Sequence, residues 1–198
     1  MPRDYTFTPR LKLIVDHLKA VRTLYEYVDG DGLKKDMQDL SAHLQRDISR
    51  DILRPAGWQD LYAADGSLYS SPMSPENALI PKWCVVEDDV IAIEICPAWP
   101  VGDDDEPCVN LYVPPNWEKQ QQFIAELKPP PPGFEHVSQY ADGEMADESS
   151  VWKYVRYTSH LGADGLFDST GFIEAFREAT RTLVAMEKVI DGILERLA

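Results

Sequence analysis

The C-terminal stretch constrains the fold of this chain more than any other. Apolar residues at Phe172, Phe176, Ala179, Leu183, Met186, Ile190, Ile193 and Leu197 recur at alternating gaps of four and three. That spacing keeps one stripe on one side of an α-helix. It predicts a single helix over 169–197, capped by Asp168 or Ser169 and about 40 Å long. A strict alternation of this kind suits near-parallel packing against another helix. The opposite end of the chain carries the same pattern. Leu11, Ile14, Leu18, Val21, Tyr25 and Val28 form one stripe, and Leu33, Met37, Leu40, Leu44, Ile48 and Ile52 a second. Thr8 and Pro9 start the first helix, Asp29-Gly30-Asp31-Gly32 breaks it, and Pro55-Ala56-Gly57 ends the second. Residues 1–56 therefore read as a helical hairpin. The two ends of the chain are expected to pack together, within one chain or in a homodimer through helices 9–28 and 169–197.

Between the ends the period changes from helical to extended. Trp83-Cys84-Val85-Val86, the apolar run 90–96 and the run 108–113 are β-branched and bounded by turn residues, so three antiparallel strands are expected there. Residues 117–127 predict a short helix, stopped by Lys128 and four prolines. Residues 134–137 and 152–157 predict further strands, and 142–150 an exposed loop. Residues 57–82, rich in Gly, Ser, Pro and Tyr, read as an irregular connection with a short helix over 74–79. The fold class is α+β: a small, mostly antiparallel sheet, an N-terminal helical hairpin and a long C-terminal helix packed together. Residues 83–198 form the α+β domain, in one compact unit with the rest.

Charge narrows the function. The net charge of −15 is regional: residues 84–150 hold 15 acidic groups and only two basic ones, Lys119 and Lys128. Phosphate binding needs the opposite sign, so direct contact with nucleic acid or anionic lipid through this segment is disfavoured. No apolar run is long enough to span a membrane and no leader is visible, so a cytoplasmic protein is expected. Cys84, Cys96 and Cys108 match no zinc or redox spacing; reduced thiols are expected, with Cys84 and Cys96 in the core. No cofactor is expected. The isolated histidines His17, His43, His136 and His160 suggest neither a metal site nor a catalytic triad, and the scattered glycines form no phosphate loop.

The carboxylates gather in three places: Glu87, Asp88 and Asp89; Asp103, Asp104, Asp105 and Glu106; and Asp142, Glu144, Asp147 and Glu148. None has the alternating ligand spacing of a calcium loop, and no metal site is expected. With Trp99 beside the second cluster, they make a candidate surface for a basic partner. Turns of an antiparallel sheet can share one rim, which would join the three clusters.

One candidate for catalysis remains. Glu94-Ile95-Cys96 ends an apolar strand, where metal-dependent nucleases place an acid–x–lysine pair. Glu126-Leu127-Lys128 has the literal pattern, but at a helix end. The order of elements over 83–198 (a strand pair, Leu111-Tyr112-Val113 leading into a helix, Trp152-Lys153-Tyr154-Val155, then a long last helix) resembles uncharacterised bacterial domains distantly related to the restriction-endonuclease-like PD-(D/E)XK superfamily. The resemblance implies a nuclease-like ancestry with Glu94 at the metal. Cys96 stands where that family has its lysine, so activity does not carry over. The reading that uses the charge is a non-enzymatic acidic inhibitor, docking on the basic, nucleic-acid-binding surface of a partner protein as immunity proteins, antitoxins and anti-defence proteins do. The alternatives are an oligomeric assembly subunit built on the heptad helices and a divergent nuclease-like enzyme.

Overall fold

The computed structural model describes residues 18–29, 31–62, 68–75, 77, 80–86, 89–96, 107–141, 144–163 and 166–198. The chain divides into two units after Leu40. The first holds helix α1, Leu18–Asp29, and the start of α2, Asp31–Ile48. Both fall on the expected hairpin; its capping residues Thr8 and Pro9 lie outside the described residues.

In the second unit α2 runs into a π-turn, Ser49–Leu53, and a 3-10 turn, Arg54–Ala56. Gly57 closes this end at φ 85°, a left-handed conformation that favours glycine, and its N–H donates to the Arg54 carbonyl at 3.0 Å. Strands β1, Trp58–Tyr62, and β2, Leu68–Pro72, follow. The expected irregular connection thus contains a hairpin. The expected helix over 74–79 is also absent among the described residues: Met73 pairs with Pro81, and the Ser74 N–H donates to the Ile80 carbonyl at 2.8 Å.

Strands β3, Cys84–Val86, and β4, Asp89–Val90, make a separate two-stranded ribbon. Ile91, fully buried, divides β4 from β5, Ala92–Cys96, so the expected single strand over 90–96 serves two sheets. Next come β6, Cys108–Tyr112; helix α3, Gln120–Glu126; β7, Glu135–Ala141; and β8, Glu144–Tyr154. The loop expected over 142–150 is largely strand, and Ser150 within it is buried. Pairing with β7 across the hairpin overrides the weak strand propensity of its acidic sequence. The main sheet has the order β1-β2-β5-β6-β8-β7, and every pair in it is antiparallel.

The expected C-terminal helix is two helices, α4, Ser169–Ala185, and α5, Glu187–Leu197, joined through Met186. Asp168 is the N-cap, accepting from the Gly171 N–H at 2.9 Å. Phe172, Phe176, Ala179, Leu183, Ile190 and Ile193 are all buried, as the stripe requires. Helix α4 packs against β5, β6 and the π-turn, and α3 against β8 and α5. Within this unit the end of the hairpin's second arm therefore does meet the C-terminal helix, and Arg177 pairs with Asp51 there at 2.6 Å. Among the described residues no helix is long and apolar enough to cross a membrane.

Candidate functional site

Strand alternation sorts the sheet into two faces. One carries Ile93, Ile95, Val109, Leu111 and Val151, all buried. The helices of the second unit lie on this side, as the hydrogen bonds show. Asp60 faces the same way through the register Asp60↔Ser70 and Ser70↔Ile93. Its Oδ2 accepts from Ser49 Oγ at 2.7 Å and from Arg54 Nη2 at 3.1 Å, and its Oδ1 from Ser70 Oγ at 3.1 Å. Trp58, also on this side, meets Trp83 edge-on at 5.0 Å. The Trp58 indole donates to Glu187 at 3.0 Å and the Trp83 indole to Asp191 at 2.9 Å. Lys82 Nζ sits between the two carboxylates, 3.1 Å from Glu187 and 2.6 Å from Asp191. Burial opposes the Lys82 charge, but the hydrogen bonds it donates to Asp191 and Glu187, with their charges, outweigh it and raise the lysine pKa. Spaced four apart on α5, the two acids use the helix repeat to hold both indoles. An open cleft of about 750 Å³ lies beside this network, lined by Arg54, Trp58, Asp60 and Met73 among others. Its one carboxylate already has three donors, so it offers a ligand little.

The opposite face has different chemistry. Tyr69, Glu94, Asn110, Trp152 and Glu135 stand in one transverse row on five strands. Cys96, Cys108 and Tyr154 form the row on one side, and Ala92 and Tyr112 a row on the other. The aromatics are half-buried. Tyr69 packs on Tyr112 at 5.1 Å, Trp152 on Tyr154 at 5.8 Å, and the Arg156 guanidinium lies over the Tyr154 ring at 5.1 Å. Asn110 Nδ2 donates to Glu94 Oε2 at 2.9 Å, which fixes the carboxylate at the centre of the row. Burial, then the negative charges of Asp89 and Glu94, raise the Tyr112 pKa. Two polar atoms here, Trp152 Nε1 and Ser150 Oγ, are buried with no hydrogen-bond partner among the described residues.

The sequence candidates distribute as follows. Glu94 lies on β5 at the centre of this face, with Cys96 two residues on and facing the same way. Asp89 is half-buried in β4, and Glu144, Asp147 and Glu148 lie on β8. Glu87, Asp88, Trp99, Asp103, Asp104, Asp105, Glu106 and Asp142 lie outside the described residues. Most of the acidic residues of the expected shared rim lie outside the described residues. Cys96 and Cys108, which anchor the 97–107 segment, pair at one end of the β5–β6 ladder. Asp89, just before β5, and the start of β8 at Glu144 belong to the other end. Cys84 is corrected: it is exposed, whereas Cys96 is half-buried and Cys108 buried. Glu126 of the literal nuclease-like tripeptide pairs with Arg196 at 2.9 Å, on the helix side. Among the described residues no group of three or more His, Cys, Asp or Glu could hold a metal ion.

Tyr69, Asn110, Tyr112, Trp152 and Tyr154 are not among the site residues the sequence suggests. Alternation of Trp152 and Tyr154 was the available signal, but only the pairing register shows that they share a face with Glu94. Comparison of the chain with family models, with curated proteins and with solved structures finds no match.

Proposed function

We propose that this is a protein-binding module that docks a basic partner on the face of the sheet opposite its helices, and that it acts as an inhibitor of a nucleic-acid-binding protein. The observation that carries the reading is the row Tyr69, Glu94, Asn110, Trp152 and Glu135, a fixed carboxylate among half-buried aromatics. Arginine fits such a surface twice over, pairing with the carboxylate and stacking on the rings. The chain's own Arg156 over Tyr154 supplies an example of that geometry. Trp and Tyr are the residues most enriched among interface hot spots. The surrounding charge, 15 acidic against two basic groups over 84–150, supports attraction of a cationic surface and repulsion of phosphate.

The test is a titration of the full chain with a short arginine-rich peptide, and with an acidic peptide of equal length as control. Saturable binding of the first alone is expected, weakening several-fold between about 50 and 200 mM salt. Glu94→Gln and Trp152→Leu should each weaken it about tenfold. Binding that ignores salt, or that both substitutions leave unchanged, refutes the reading.

A further inference from the structure

We propose that Cys96 and Cys108 are a dithiol–disulfide couple that closes the 97–107 segment. The two residues are directly opposite one another in an antiparallel ladder. Directly opposed antiparallel residues have Cα atoms about 4.5–5.5 Å apart, inside the range that a disulfide spans. Their side chains leave the same face of the sheet. Both are free thiols. They form the terminal pair of the β5–β6 ladder, next to Ile95↔Val109 and Glu94↔Asn110. Nothing in the docking reading is needed for this step. Its consequence bears on that reading, because the closed segment contains the densest acidic run, Asp103 to Glu106.

The oxidant is a low-molecular-weight disulfide such as glutathione disulfide. The half-buried Cys96 loses its proton to water, and its thiolate attacks one sulfur of the oxidant and expels one glutathione thiolate. Cys108 then gives up its proton, its thiolate attacks Cys96 Sγ and expels the second, and the two glutathione thiolates take up the two protons. Two protein S–H bonds and one glutathione S–S bond become one protein S–S bond and two glutathione S–H bonds. The neighbouring Cys108 thiol, with burial and the nearby Glu94 charge, holds the Cys96 thiol above the usual range. The thiolate is the attacking species, so the reaction is slow at neutral pH and accelerates as pH rises.

The experiment uses the full chain with the exposed bystander removed, Cys84→Ser, which leaves the pair untouched. The protein is incubated with glutathione disulfide at about pH 7 and about pH 8.5 and read by intact mass and thiol titration. Expected is loss of both thiols together, a mass decrease of two hydrogens, no retained glutathione and a faster reaction at the higher pH. Adding Cys108→Ser should trap glutathione on Cys96; if that variant does not fold, the mass result on the intact pair still decides. Two thiols that persist through a day at the higher pH, or independent glutathione adducts on the two cysteines, overturn the couple. The docking reading fails separately, through the peptide titration of the reduced protein.

Discussion

Asp191→Ala is the substitution whose cost follows most directly from the structure. Asp191 accepts from the Trp83 indole at 2.9 Å and from Lys82 at 2.6 Å. Trp83 is 1% exposed, so water does not replace the lost acceptor. A buried N–H left without a partner costs about 1–3 kcal/mol. Lys82 keeps Glu187, and its pair with Asp191 is part-exposed, at 30% and 23% of the two side chains, so that loss adds only about 0.5 kcal/mol. The sum is about 1.5–3.5 kcal/mol, or a fall in Tm of about 3–14 °C for a chain of this size. Asp191→Asn keeps an oxygen for the indole and should cost under about 1 kcal/mol. In Trp83→Phe the donor itself is gone, so a further Asp191→Ala should then cost only the lysine contribution. Urea unfolding followed by circular dichroism measures the four variants and the parent. If Asp191→Ala and Asp191→Asn unfold at the same midpoint, the indole–carboxylate bond is not what holds α5 to the sheet.

The hairpin β1–β2 depends on a second carboxylate in the same way. Asp60→Ala removes the acceptor of Ser49, Ser70 and Arg54 and should destabilise by about 2–4 kcal/mol in urea unfolding, whereas Asp60→Asn should lose less than half of that. Lys82 has a folded-state pKa above its ordinary value, so its stabilising pairs are fully present below about pH 10.5 and are lost as pH climbs through the folded value. The stability gap between the protein and Lys82→Met should therefore shrink above about pH 10.5 in a series of urea midpoints; a constant gap would contradict the ion-pair account. Tyr112 is held protonated by burial and by the Asp89 and Glu94 charges, so ultraviolet titration should show a phenol ionising above about pH 10 that disappears in Tyr112→Phe.

Some of this architecture was legible in the sequence and some was hidden for physical reasons. The stripe Phe172 to Ile193 identified the buried side of the C-terminal helices, because burial on one side of a helix leaves a period. It did not show the break at Met186, since a one-residue turn that keeps the stripe in phase leaves the spacing unchanged. Runs 92–96 and 108–112 were legible because their inward residues are aliphatic. Strands β1 and β2 were not, because their inward positions include Asp60 and Ser70, polar groups that answer Ser49 and Arg54 instead of packing as apolar side chains. Strand β8 was hidden likewise: Asp147, Glu148, Ser149 and Ser150 read as a loop until pairing with β7 is known. Glu94 was singled out from its place at a strand end. Its neighbours on the face come from four other strands, and that assembly is a property of register, which one sequence does not display.

The two faces of the sheet use polar groups for different ends. On the helix side, Asp60, Glu187 and Asp191 each accept at least two hydrogen bonds from other elements. Substitution there removes an acceptor from a buried donor, so its effect is read in stability. On the other face Trp152 Nε1 and Ser150 Oγ are buried without partners among the described residues, which sets a cost of about 1–3 kcal/mol for each group. Replacing Ser150 by Ala therefore removes an unmet hydroxyl and should leave stability unchanged or raise it by up to about 1 kcal/mol. Trp152→Phe would do the same for the indole N–H, offset by the smaller ring. If the face is a docking surface, Trp152→Phe stands apart from Asp60→Ala and Asp191→Ala: it keeps the fold and loses affinity for the arginine-rich peptide. A Ser150→Ala protein that unfolds as readily as Asp60→Ala would mean that Ser150 has a partner in the folded state. The division of labour between the two faces would then fail.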